Sequence, residues 1–206
     1  MERRGFIKAG VAGTLLPPAT HAARRRSHDF YFTRLAYESG DWEAAPELAG
    51  HVLRALAAAS LLRVDPVERV VALDDARMLA APFCYLGGSK LVQFNAAERR
   101  HLERYLRGGG FLLVHGCGPA IGLFTASFDA EMTRMFGAQA LRRLPAAHPL
   151  YASFHRLDPA PHLRALSLRE RVQVLCANQD DACGWDDGTA DSLRLAVNII
   201  HYALGA

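Results

Sequence analysis

Apolar and polar positions alternate along this chain in blocks that switch between strand and helix periods. Asp29 to Tyr37, "DFYFTRLAY", is rich in aromatic and β-branched residues and predicts a first strand. Glu38 to Ala45 is a polar loop. Pro46 opens a helix in its first turn, and Leu48, Ala49, Val52, Leu53 and Leu56 recur at helical spacing to about Ser60. Val67 to Leu73 predicts a second strand, and Arg77 to Ala80 a short turn of helix. "APFCYLGG", Ala81 to Gly88, is a buried strand stopped by two glycines. Asn95 with Glu98 forms a capping-box signature for a helix that ends at Gly108-Gly109-Gly110. "FLLVH", Phe111 to His115, lacks alternation, as a strand covered on both faces should. Phe128 to Phe136 reads as a short helix. Leu141 to Leu168, with clustered prolines and histidines, reads as irregular with one or two short strands. "RVQVLCAN", Arg171 to Asn178, is another buried strand. Asp191 to Leu204 is a terminal helix with Leu193, Val197, Ile200 and Leu204 on one face. This order predicts an α/β fold: a three-layer, mostly parallel sheet with helices on both faces.

The first 22 residues stand apart from that pattern. Arg3 and Arg4 are followed by Gly5, Phe6, Ile7 and Lys8, then by an apolar stretch to Leu16. Thr20 and Ala22 are small residues at the −3 and −1 positions of a cleavage site. The segment resembles a twin-arginine export signal, although Glu2 stands where Ser or Thr is usual. The resulting expectation is a signal over 1–22, a basic tail over 23–28 with Arg24-Arg25-Arg26, a single domain over 29–206, and a periplasmic location.

Charge changes the picture once the signal is set aside. The whole chain of 206 residues has 24 Lys and Arg against 21 Asp and Glu. Arg3, Arg4, Lys8 and Glu2 leave with the signal, so the remainder stands near +1. That balance gives no footing for nucleic-acid binding. No apolar run reaches the roughly 18 residues of a membrane-spanning helix. The four cysteines, Cys84, Cys117, Cys176 and Cys183, are too few for a disulfide scaffold, but an oxidising compartment permits one bridge.

Several spaced segments carry a resemblance: "FTRLAYESGDWEAAP", "VDPVERVVALDD", "APFCYLGG", "LRGGGFLLVHGC", "LPAAHPLYASF", "DDACGWDD" and "LAVNIIHYALG". Together they resemble the bacterial family called domain of unknown function 4159, from about Phe30 to Gly205. The resemblance implies a flavodoxin-like fold of the class I glutamine amidotransferase type and no established reaction. Sugar-utilisation proteins of similar fold share a segment like His148-Pro149-Leu150. Members of the family often carry acidic residues and a second Cys after the glycine-led strand. This chain has His115, Gly116, Cys117 and Gly118 there.

Ligand sites in open parallel sheets lie beyond the carboxyl ends of the strands. His115, Cys117 and the segment holding Asp180, Asp181, Cys183 and Trp185 follow strands and are expected to converge on that edge, with His148 joining from the irregular segment. Four readings stay open. Cys117 as an amidotransferase nucleophile lacks the Gly-x-Cys-x-Gly elbow, because His115 and Pro119 occupy the glycine positions, and it has no His partner followed by a nearby Glu. His115, Cys117, Cys183 and an Asp are ligand types suited to zinc or copper, without a compact motif. Cys117 and Cys183, which the resemblance places at matched positions, are a candidate disulfide, with packed free thiols as the alternative. Trp185, Asp181, Trp42 and Asp41 suit a small polar, sugar-like ligand, and the same tryptophans are equally suited to plugging the rim of the sheet. The reading preferred is a non-enzymatic binding or assembly role toward a small polar ligand or a periplasmic protein, with no cofactor and no intact amidotransferase chemistry. The alternative is a hydrolase of a sugar or peptide derivative using His115, Asp181 or His148 as acid and base.

Overall fold

The computed structural model describes residues 28–205 except Cys117, Pro119 and Asn178, and leaves out the side chains of residues 179–182. The expected export signal and the basic tail up to residue 27 lie outside the described residues.

The chain runs β1 (Thr33–Ala36), α1 (Leu48–Ala59), β2 (Arg69–Ala72), a 3-10 turn (Ala76–Ala80), β3 (Cys84–Gly88), α2 (Ala96–Arg107) and β4 (Leu112–Gly116). It continues through α3 (Ile121–Phe136), β5 (Arg142–Arg143), a 3-10 turn (Pro149–Ala152), β6 (Arg164–Leu168), β7 (Arg171–Cys176), α4 (Gln179–Asp186) and α5 (Ala190–Gly205). Seven strands form one sheet in the order β2-β1-β3-β4-β7-β6-β5. The first five in that order are mutually parallel; β6 pairs antiparallel with β7, and β5 antiparallel with β6. This is the expected α/β class, in a three-layer, flavodoxin-like arrangement.

Alternation along each strand divides the core in two. Tyr85 of β3 and Leu113 of β4 face Leu48, Val52, Leu56, Trp185, Leu195 and Ile199 of α1, α4 and α5. Cys84, Leu86, Leu112 and Val114 face Leu102, Leu106, Phe124, Phe128 and Met132 of α2 and α3. Both faces are covered, which is why these strands read as continuous apolar runs. In β7 the register to β6 skips Gln173: Leu166 pairs with Val174, and Ser167 with Val172. This bulge shifts the alternation, so Val172 and Leu175 share the α5 face while Val174 lies on the other.

Local signals account for some boundaries and miss others. Asn95 caps α2: its side chain accepts from Ala97 N and Glu98 N, and Glu98 Oε2 accepts from Asn95 N at 2.8 Å. Glu98 Oε1 also accepts from Glu38 N at 2.8 Å, tying the cap to the loop after β1. The first strand is shorter than the predicted Asp29 to Tyr37, with only an isolated bridge between Phe30 and Val64 before it. The helix predicted from Phe128 starts at Ile121, because Phe124, Phe128 and Met132 form one buried stripe across a glycine-containing first turn. The segment around "DDACGWDD", to which the sequence pattern assigns no element, is helix α4.

Candidate functional site

His115 is the fourth residue of β4, one position before the strand's carboxyl end, and it shares a face with Leu113. That face is covered by α4 and α5, so the imidazole is 1% exposed. Tyr85, on the neighbouring strand, shares a 2.8 Å hydrogen bond between its hydroxyl and His115 Nδ1. Burial pushes the Tyr85 phenol well above its ordinary value, so it keeps its proton and can donate it to Nδ1. The Trp185 ring stands edge-on to His115 at 5.5 Å, fully buried, with its indole N–H donated to Ser192 O. Of the expected rim residues, the structure therefore brings His115 and Trp185 together. It packs them as interior groups beneath helices α4 and α5 rather than in an open cleft. Trp185 plugs the rim.

A second buried polar group adjoins this one. Arg34 of β1 is 2% exposed and lies over the Tyr85 ring, 5.0 Å from its centroid. Its Nε donates to Glu68 Oε2 at 2.9 Å, and its remaining nitrogens donate to the carbonyls of Trp42, Ala44 and Ala45 at 3.0 to 3.3 Å. The guanidinium thus fixes the turn that leads from β1 into α1, including Ala45 in the left-handed region at φ 57°. Trp42 contributes its carbonyl to Arg34, while its ring packs, partly buried, on the α2–α3 side of the core.

The position of Asp41 follows from topology. After β1 the chain crosses to β2 on one side and then returns to β3 on the other, so the switch point of the sheet lies between the carboxyl ends of β1 and β3. Asp41 fills it. Its Oδ1 accepts from Ser89 N at 2.9 Å and Lys90 N at 3.1 Å, and its Oδ2 accepts from Ser89 Oγ at 2.5 Å. Burial alone would raise this carboxyl; the hydrogen bonds from Ser89 and Lys90 hold it below its usual value. Tyr37 OH donates to Gly87 O at 3.0 Å across the same crevice. A Cβ on Gly88 would collide with Tyr37 OH and lie 2.9 Å from Phe124 and 3.1 Å from Asp41. The backbone amides that could receive an anion at this switch point are already satisfied by the chain's own carboxylate. Asp41 belongs to the β1–β3 crevice and Trp42 to the β1–α1 turn.

His148 does not join the rim group. It caps the Pro149–Ala152 turn by accepting from Leu150 N at 3.2 Å, and its ring packs on Tyr202 in the last turn of α5. Tyr202 OH accepts from Val172 N at the start of β7, the end of that strand away from its carboxyl edge. The sequence could not show this, because the turn reaches α5 through long-range bonds: Asn198 Nδ2 donates to Leu150 O and His155 O.

Cys117 and the side chains of Asp180 and Asp181 lie outside the described residues. Cys183, in α4, is disulfide-bonded, whereas Cys84 and Cys176 are free, buried thiols pushed up to about 12 by burial. Among the described residues no three His, Cys, Asp or Glu side chains cluster as a metal site would require, and no helix is long and apolar enough to cross a membrane.

The polar residues that organise this edge, Arg34, Tyr85 and Ser89, were not singled out by the sequence. A buried Arg in an otherwise apolar strand was the one available signal. No curated protein matches the chain. A family model does, over residues 31–204, with the description "Domain of unknown function (DUF4159)". With nearly all of the described α/β domain inside that match, the chain belongs to the DUF4159 family.

Proposed function

We propose that this protein is exported by the twin-arginine route and acts in the periplasm without catalysis, binding a small polar ligand or a partner protein at the carboxyl edge of its sheet. The observation that carries the non-enzymatic reading is the enclosure of His115. A general acid or base has to come within hydrogen-bond reach of a substrate proton. At 1% exposure, between Tyr85 and Trp185, the His115 ring offers no such approach. The filled β1–β3 crevice supports the same reading, since Asp41 occupies the place where ligands of doubly wound sheets usually bind.

The proposal includes a disulfide between Cys117 and Cys183. It is supported by the bonded state of Cys183 and by the free state of Cys84 and Cys176, which leaves one other cysteine in the chain. Such a bridge would pin the segment after β4 to helix α4 and hold Trp185 over His115, a stabilising role that suits an oxidising compartment.

The test is purification of the native protein from periplasm, mass spectrometry of whatever accompanies it, and assays of glutamine and glycoside hydrolysis. A co-purifying small molecule or protein with no turnover is expected. Hydrolysis that disappears on His115→Gln or Cys117→Ser would overturn the non-enzymatic reading.

A further inference from the structure

Two arginines face each other across the antiparallel end of the sheet. Arg143 of β5 pairs in register with Arg164 of β6. Residues directly opposite in an antiparallel pair project to the same face with Cβ atoms about 5 Å apart, and like charges there are destabilising. Arg164 has a carboxylate, Asp129 Oδ2, at 2.6 Å. Arg143 has none among the described residues; its Nη2 lies 3.0 Å from His162 Nε2. The three side chains line a crevice of about 310 Å³ with Leu163, Cys176 and Ala177. That crevice opens at the carboxyl end of β7, because Arg164 pairs with Cys176, the last residue of that strand. The thiol of Cys176 stays protonated, as burial pushes it up to about 12, and adds no negative charge. Two guanidinium groups against one carboxylate leave the described crevice with a net positive charge.

We propose that this crevice binds a phosphate group, as inorganic phosphate or a phosphate monoester, between Arg143, His162 and Arg164. The inference rests on the binding role proposed above and names its ligand class. Two phosphate oxygens accept parallel hydrogen bonds from one guanidinium, which Lys cannot match. A dianion also relieves the cross-strand repulsion between Arg143 and Arg164. The volume is at the low end of the range for ligand sites, of a size for a phosphate and a small attached group.

The experiment is thermal unfolding and calorimetric titration of the mature chain with inorganic phosphate and, separately, glycerol phosphate, at constant ionic strength in chloride. Wild type should gain stability with either, and the tighter of the two identifies the source. Arg143→Gln should bind at least about tenfold more weakly, the loss expected for one charge-assisted contact. Without phosphate its midpoint should be unchanged or higher, because the repelling charge is gone. Arg143→Lys should fall between the two, and Arg54→Gln in α1 should behave as wild type. No response of wild type up to tens of millimolar, or equal weakening in Arg54→Gln, would overturn the site. Failure of phosphate binding beside a co-purified partner would remove this crevice and leave the binding role. Enzymatic turnover beside intact phosphate binding would remove the non-enzymatic role and leave the crevice.

Discussion

Replacing Arg34 by Ala tests whether one buried guanidinium holds the turn that frames the carboxyl edge. The substitution removes the bond to Glu68 at 2.9 Å and the donors to the carbonyls of Trp42, Ala44 and Ala45. Breaking a buried ion pair from one side costs about 3–5 kcal/mol. Here the stranded groups regain some water, since Glu68 is 25% exposed and the turn is only partly buried. The lower end, about 3 kcal/mol, is therefore the expected loss. For a domain of this length that corresponds to a midpoint about 6–12 °C lower. Glu68→Gln should cost less, about 1 kcal/mol, because the amide oxygen still accepts from Arg34 Nε. Urea unfolding of the two variants and the double variant measures the coupling directly. A loss under about 1 kcal/mol for Arg34→Ala, or an equal loss for Glu68→Gln, would refute the claim that the guanidinium organises the turn.

Other predictions follow from separate parts of the molecule. Arg3→Lys with Arg4→Lys should leave the precursor in the cytoplasm, and unchanged periplasmic protein on fractionation would sink the export proposal. Gly88→Ala should destabilise by about 1–3 kcal/mol, because the new methyl meets Tyr37, Phe124 and Asp41 in a filled crevice; urea unfolding at wild-type stability would disprove that packing. In non-reducing peptide mapping, Cys117 and Cys183 should appear as one cross-linked species while Cys84 and Cys176 resist alkylation in the native state; a linked pair including either buried thiol would contradict the assignment. Stability should fall in two stages on acidification. Burial holds His148, His155 and His201 below their ordinary value of 6.5, so the unfolded chain takes protons first and stability declines as pH drops through about 6.5. Asp29 is held down to about 2 by the Arg63 guanidinium, so its contribution is lost between about pH 4 and pH 2. A melting temperature that stays flat from pH 7 to pH 5 would contradict the histidine stage.

Much of the scaffold was legible because its signals are local. Asn95 and Glu98 announce the start of α2 within four residues, and the unbroken apolar runs of β3 and β4 could only be strands covered on both faces. The fold class followed from the order of such blocks. Where local and tertiary forces compete, the sequence misled. Ile121 to Ser127 lies in a helix despite Gly122, because Phe124 completes a stripe that packs on β4; the "DDACGWDD" segment is helical because Trp185 is drawn into the core under α5.

The candidate site shows the same division more sharply. The sequence by itself placed His115 and Trp185 after strands and so on one edge, since a parallel sheet delivers all its carboxyl ends to one side. It could not show that β4 alternation turns His115 inward, beneath Trp185 and against Tyr85, thirty positions away in the chain. Nor could it show that Asp41 reaches Ser89 across the switch point, or that Arg143 meets Arg164 when the two short strands of the Leu141–Leu168 segment pair. Composition and periodicity report what each residue prefers from its near neighbours. Which polar groups end up satisfied, enclosed or opposed depends on partners brought together only when the sheet closes, and that was decided by the tertiary structure alone.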